Sequence, residues 1–390
     1  MKILHVIPAI APRYGGPSKV VLEMSRALRD LKIQSEIAGT NADGPGVLSV
    51  KTGEWTEYGG ERCIFFPRDF SEALKYSSAM KKWLASHVVE YDLVHIHSIF
   101  SHAPYAAAQA CQRAGVPYVL RPLGTLEPWS MAHMPLKKSV AWSLVFSRVA
   151  KKAAAIQYTT RAEKEKTEGL LKLCNGHIIP NGLPQEFLNA AKTAHARATN
   201  ESFTRPYVLF LARIDPKKNL PVLFEAFSRV NVSDCEWVIA GDGEPAYLHH
   251  LKQTVENLGI ASRVRWTGWV QGQEKIDLLA RARVLVLPSS QENFGNSLLE
   301  ALACGTPVIA SPETGIADEI QKTESGWITP TTSNALATAI TEALTDTALR
   351  DVRGKNGMQW AYENFSWNTI APQLVALYQQ LIAKAALAST

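Results

Sequence analysis

The chain has 390 residues, 46% of them hydrophobic and 20% charged, with a formal net charge of +5. That length holds two ordinary domain cores, and the composition excludes a disordered, collagen-like or coiled-coil chain. Residues 1–190 carry 23 Lys and Arg against 16 Asp and Glu, and the remainder 18 against 20; the basic half suits an anionic membrane surface or a phosphorylated acceptor, while nucleic acid is excluded as a partner because no nucleic-acid motif and no interleaved aromatics accompany the charge.

The chain opens with a strand over Ile3–Val6 rather than a signal peptide, because His5 and Pro8 interrupt the apolar run and no small-residue cleavage site follows. No later stretch reaches the roughly 18 apolar residues of a membrane span, so a cytoplasmic protein, at most peripheral at the inner face of the membrane, is expected. Pro12-Arg13-Tyr14-Gly15-Gly16-Pro17 then forms a strand-to-helix turn, leading into a helix whose apolar face holds Val20, Val21, Met24 and Leu28. Taken alone, the Gly15-Gly16 pair marks no more than a tight turn.

Strands are next predicted over Leu93–Ile96, Tyr118–Leu120 and Ala155–Tyr158. Alternation puts His95 and His97 on one face, either as satisfied core histidines or, for His97 nearest the following loop, as a ligand contact. Arg121 opens the loop Arg121-Pro122-Leu123-Gly124-Thr125-Leu126-Glu127-Pro128-Trp129 and is either a structural ion-pair partner or a contact to an acceptor or a phosphate. Lys137, Lys138, Arg148, Lys151 and Lys152 surround Val140, Trp142, Leu144, Val145, Phe146 and Val149. Such a basic amphipathic helix either lies on an anionic bilayer or is an ordinary helix with a solvated basic face.

The texture changes between Leu183 and Arg205, where the alanine-rich polar stretch Asn189–Ser202 has no strand character. The domains are accordingly placed at 1–185 and 205–365. Strands in the second half are predicted over Tyr207–Leu211, Glu236–Ala240, Arg263–Thr267, Val284–Leu287 and Val308–Ala310, and residues 366–387 read as one long helix that could cross back to the first domain. Short apolar strands alternating with helices throughout predict an α/β chain of two doubly wound parallel sheets. Cys63, Cys111, Cys174, Cys235 and Cys304 are too scattered for a disulfide framework or a zinc site.

The most informative stretch runs from Pro288 to Ala310. A buried strand ends at Pro288, a polar loop with Gly295 follows, a helix starts near Asn296 or Ser297, and Gly305-Thr306-Pro307 stops it. A helix N-terminus there presents backbone N–H groups and a positive dipole end to a diphosphate. Glu292 can accept bonds from sugar hydroxyls, and Glu300, about a turn into the helix, can reach a ribose diol.

This stretch, with Leu287-Pro288-Ser289 before it and Glu300-Ala301-Leu302-Ala303-Cys304-Gly305-Thr306-Pro307-Val308-Ile309 after it, resembles the E-x7-E signature of family-4 glycosyltransferases (glycosyl transferases group 1). Leu211–Leu220, Ala240-Gly241-Asp242-Gly243 and Ile179-Pro180-Asn181-Gly182 extend the resemblance over nearly the whole chain, and the Arg121 loop is similar to one in members that build bacterial surface polysaccharides. The resemblance implies a GT-B architecture, two Rossmann-like domains facing across a cleft, and a retaining hexosyltransferase using a nucleotide diphosphate sugar. UDP-glucose is the expected donor, ahead of GDP-mannose and UDP-N-acetylglucosamine, and a saccharide or lipid-linked saccharide the expected acceptor.

It further implies that Arg213 and Lys218 grip the donor pyrophosphate in place of a metal, that His97 lies by the transferred sugar, and that Gly15 and Gly16 lie beside the donor phosphates. Two cations and a helix terminus can neutralise a diphosphate leaving group, and no D-x-D triplet of a metal-dependent enzyme occurs. No metal or other cofactor is therefore expected. Gly241, Asp242, Val270, Asn293, Phe294, Gly295, Asn296, Ser297 and Leu298 complete the expected donor contacts. Ala212 departs from the family's more frequent glycine. No nucleophile is evident, which favours a front-face mechanism in which the departing phosphate helps deprotonate the acceptor. A UDP-sugar epimerase of the same fold and a non-catalytic nucleotide-sugar-binding protein are the rivals, and the intact Arg213, Lys218, Glu292 and Glu300 set argues against both.

Overall fold

The computed structural model describes residues 1–132, 142–200, 205–232 and 234–389. The chain divides into two compact units, Met1–Gly182 joined by Trp367–Thr390, and Leu183–Ser366. Both are doubly wound α/β units, as the alternation of apolar runs predicts.

The first unit contains β1 (Lys2–Ala9), β2 (Gln34–Thr40), the hairpin β3 (Ala42–Asp43) and β4 (Gly46–Val47), β5 (Trp55–Tyr58), β6 (Glu61–Phe66), β7 (Leu93–His97), β8 (Tyr118–Arg121), β9 (Ala155–Tyr158) and β10 (Gly176–Ile178). Its main sheet runs β10-β9-β8-β7-β1-β2-β6-β5, parallel except for β5 against β6. Chain order reverses at the β1/β7 border, and in open α/β sheets ligands bind outside the carboxyl ends of the strands at such a switch point. One face packs Leu4, Val6, Val94, Ile96, Tyr118 and Leu120 against the helices Ser78–His87 and His102–Ala114. The opposite face packs Ile3, Leu93 and Val119 against Met24 and Leu28 of helix Gly16–Asp30 and Ile370, Leu374, Leu377 and Tyr378 of helix Trp367–Ser389.

The second unit contains β11 (Tyr207–Leu211), β12 (Glu236–Ala240), β13 (Val264–Gly268), β14 (Val284–Leu287), β15 (Val308–Ala310) and β16 (Gly326–Ile328), in the order β13-β12-β11-β14-β15-β16. Its order reverses between β11 and β14.

One expectation needs correction, and one strand adds to those read from the sequence. The stretch expected as an inter-domain boundary is the helix Gln185–Asn200, whose Phe187, Leu188, Ala191 and Ala194 join the core of the second unit. Those residues already have helical spacing, masked by the polar residues between them. The second unit thus begins at Leu183, not near 205. The strand β2 was not expected because its sequence, Gln-Ser-Glu-Ile-Ala-Gly-Thr, is largely polar. Glu36 is nevertheless buried, its carboxylate accepting from Arg62 Nε at 2.8 Å and Tyr91 Oη at 2.6 Å.

Lys137, Lys138 and Val140 of the expected basic helix lie outside the described residues. In the described part, Arg148, Lys151 and Lys152 are exposed while Val149 and Ala150 are buried and Phe146 packs edge-on against Phe100 at 5.4 Å. No helix among the described residues is long and apolar enough to cross a membrane.

Candidate functional site

In the second unit the two loops that leave the switch point carry most of the expected residues. After β11, Asp215 caps the short helix Pro216–Lys218 by accepting from the Lys217 amide at 3.2 Å. Asn219 follows with φ +54°, and its side chain donates to Pro288 O at 3.0 Å and Ser290 Oγ at 2.8 Å in the loop after β14. The Ser290 amide donates back to Lys217 O at 2.8 Å. The two loops are stitched together, and Lys218 Nζ meets the Glu292 carboxylate as an ion pair.

Lys218 is buried, while Arg213 is half exposed with Nη2 3.5 Å from Asp215 Oδ2. Lys217 lies among Lys218, Glu292, Arg213 and Asp215; burial, then the neighbouring Lys218 charge, pulls its pKa down. Cations gathered this closely repel one another, an arrangement that a bound polyanion relieves.

Glu292 is fixed from its other side by its amide donating to Glu313 O at 3.1 Å and its carbonyl accepting from Gly315 N at 2.7 Å. Gly295, at φ +85°, leads into the helix Asn296–Ala303 as its cap residue and brings no side chain to that end. The side chains of Phe294 and Leu298 are buried in the core, so these two offer a ligand backbone only. Val270 is likewise buried. Gly241 has φ +145°, and a Cβ there would lie 1.9 Å from Ala212 O; Asp242 Oδ1 accepts from the Gly243 amide at 2.8 Å. The backbones after β11 and β12 therefore approach too closely for any residue but glycine.

Glu300 is buried and pairs with Lys275 Nζ at 2.7 Å, from the helix Gly272–Arg281. Lys275 was missed by sequence reasoning. It lies 25 residues from its partner in no motif, and only the packing of two helices reveals it.

In the first unit, Gly15 (φ +73°) separates the turn Pro12–Tyr14 from helix Gly16–Asp30. Tyr14 Oη donates to Glu72 Oε1 at 2.5 Å and accepts from Gly44 N at 2.9 Å, bracing this loop after β1. His97 ends β7 across the switch point, its ring fully enclosed. His97 Nε2 bonds to His5 Nδ1 at 3.0 Å, and the rings of His95 and His97 stack at 4.5 Å. His95 Nδ1 bonds to Tyr378 Oη at 2.6 Å.

Burial holds all three histidines well below the ordinary value, with the Arg121 guanidinium adding to it; His5 falls to about 3. Arg121 ends β8 as a buried residue bonded through Nη2 to Asn181 Oδ1, with Nε and Nη1 unpartnered among the described residues. Burial brings it to about 10 against the opposing charge of Glu163. Arg121 is thus neither exposed nor hydrogen-bonded to a carboxylate. His5 was also missed, since its position inside an apolar strand reads as an interruption.

Residues 191–360 match the family described as Glycosyl transferases group 1, and residues 14–187 match Glycosyltransferase Family 4. An uncharacterised glycosyltransferase of Methanocaldococcus jannaschii is 26% identical over 82% of this chain and 83% of its own length. A D-inositol 3-phosphate glycosyltransferase of Jonesia denitrificans is 25% identical over 97% and 95%. Among solved structures, Anabaena HepE in complex with UDP and glucose superposes with a TM-score of 0.77 at 20% identity, covering 97% of this chain and all of that one. Sucrose-phosphate synthase from Thermosynechococcus elongatus gives 0.80 at 22%, covering 98% and 99%.

Proposed function

This chain belongs to the group 1 glycosyltransferases, with the GT-B fold, and from that premise we propose that it transfers a hexose, glucose first among candidates, from a UDP-linked donor to a saccharide acceptor with retention of configuration. The observation that carries this reading is the cluster at the second unit's switch point: Lys218 pairs with Glu292, Lys217 lies close to both, and Arg213 flanks Lys217, beside a helix N-terminus whose cap residue is Gly295. These cations and helix amides hold the pyrophosphate and stabilise the charge that develops as the sugar–phosphate bond breaks, without a metal. Once phosphate engages Lys218, Glu292 turns to the hexose hydroxyls and to the positive charge growing on the ring. Glu300, held by Lys275, takes the ribose diol. The departing phosphate accepts the acceptor's proton on the same face.

In the first unit His97 is assigned to the transferred sugar, and Arg121 to an anionic group of the acceptor or donor. UDP-glucose is supported by the UDP and glucose bound in HepE; a GDP-mannose-dependent mannosyltransferase of Mycolicibacterium smegmatis, 31% identical over 44% of this chain, keeps GDP-mannose as the rival. The acceptor is assigned to surface polysaccharide synthesis, lipid-linked and met at the inner face of the membrane, on the basic first half and the Arg121 loop.

Isothermal titration with a panel of nucleotide sugars fixes base and hexose together, followed by slow hydrolysis of the bound donor without acceptor. Binding of UDP-glucose with release of glucose is the expected result. Binding with no turnover under any acceptor points to a non-catalytic binding protein, and isomerisation of the sugar points to an epimerase.

A further inference from the structure

The enclosed histidines of the first unit hold more information than a single sugar contact requires. His5 and His95 are direct neighbours across the β1–β7 pairing, and His97 and Arg121 across β7–β8. The four side chains therefore line one face of adjacent strands. Stacking on His95, itself tethered to Tyr378, sets the plane of the His97 ring. The bond from His5 sets its rotation within that plane. With Nε2 used, Nδ1 is the polar atom left over, and it is buried without a partner among the described residues.

We propose that His5 is the positioning residue for His97, occupying Nε2 so that Nδ1 is the atom presented to a hydroxyl of the transferred sugar; this rests on the reading of His97 as the sugar contact. A His–His hydrogen bond needs one proton between two nitrogens, so it couples the tautomers of the two rings: when His5 donates, His97 Nδ1 carries a proton, and when His97 donates, its Nδ1 is an acceptor. Burial and the nearby Arg121 guanidinium keep the rings neutral, and His97 acts as a fixed dipole rather than as a proton shuttle. The three imidazoles have ligand atoms within 4.8 Å of one another, a spacing that a divalent cation could also use. A cation there would have to break the His5–His97 bond and sit by an incompletely paired guanidinium, so the hydrogen-bonded arrangement is favoured.

The test is a double-mutant cycle on the full chain, reading kcat, donor KM, nucleoside diphosphate affinity and melting temperature. His5→Leu should lower kcat by roughly ten- to a hundredfold, as misplacement of a reacting group by about 1 Å costs, with KM and diphosphate affinity unchanged. His5→Asn, which keeps a polar atom at the Nδ1 position, should restore most of the loss. In a His97→Ala background His5→Leu should cost nothing further. At position 97, Asn should outperform Gln, because Asn mimics Nδ1 and Gln mimics Nε2. An additive cycle, the reverse order of Asn and Gln, or stoichiometric metal in the purified protein overturns the role of His5 while leaving His97 in place. An unchanged kcat in folded His97→Ala removes the sugar-contact reading, and the proposal with it.

Discussion

Lys218 and Glu292 form an ion pair, so each substitution at the site acts on a partner as well as on a ligand. Lys218→Ala should weaken nucleoside diphosphate binding by about 1.5–3 kcal/mol, the value of a charged hydrogen bond, in a calorimetric titration. Unchanged affinity would put Lys218 outside the donor site. Glu292→Gln should leave diphosphate affinity nearly intact or raise it, because it releases Lys218, and should slow transfer, because its substrate partners are the hexose and the charge developing on it. Glu300→Gln should raise the diphosphate dissociation constant, because the ribose is present with or without sugar. Glu300→Gln leaves the Lys275 ammonium, and Glu292→Gln the Lys218 ammonium, facing a neutral amide in a mostly buried setting, so a lower melting temperature is expected from both variants. Equal loss of diphosphate affinity in both glutamate variants, with intact folding, would refute the division of labour. The two glutamates were readable from their spacing and flanking residues; Lys275 and His5 were not, because no local pattern encodes a partner on another element.

At the scale of elements, three glycines that look alike in sequence have different physical roles. Gly241→Ala would drive a methyl into the Ala212 carbonyl oxygen at 1.9 Å, where only backbone can yield. The loops after β11 and β12 must then separate, and thermal melting should show destabilisation of about 3 kcal/mol or more. A melting temperature near wild type would show that the close approach is not needed. Gly295→Ala meets the buried Leu298 Cδ1 at 2.8 Å and Glu292 Cγ at 3.4 Å, so its cost is the positive φ plus a shift of those side chains, whereas Gly15→Ala meets nothing within 4 Å and costs only the strain of its φ +73°, ψ −136° backbone, about 1–3 kcal/mol. The strands of the second sheet were legible because a strand buried on both faces is a continuous apolar run. β2 was not, because Glu36 and its partners put charge inside the run.

For the whole molecule, His5, His95 and His97 are buried with depressed pKa values, and unfolding returns them to about 6.5. Below that pH the unfolded chain takes up protons that the folded chain refuses. Stability should be fully present above about pH 6.5 and decline as pH falls toward 3, by up to about 1.4 kcal/mol per pH unit for each ring. Glu61 and Glu163, whose carboxyls burial raises, act in the opposite sense nearer the carboxylate range. A melting temperature that stays level from pH 7.5 to 5 would contradict the neutral cluster. Transfer activity should persist in excess EDTA, since Arg213, Lys217, Lys218 and the helix at Asn296 supply the positive charge; abolition by chelator with rescue by Mn²⁺ would overturn that reading. The sequence alone determined the α/β class, the chain's division into two sheets, and the loop-helix unit at 288–310, because strand and helix periodicity, turn glycines and caps act within a dozen residues. Only the tertiary structure decided what pairs with what. Lys218 with Glu292 is a contact across 74 residues, His5 with His97 across 92, and Tyr378 with His95 across 283. The return of Trp367–Ser389 to the first unit belongs to the same class. Such contacts follow from the order of strands in each sheet and from which helix face is left to cover, quantities set by packing of the entire chain and encoded at no single position.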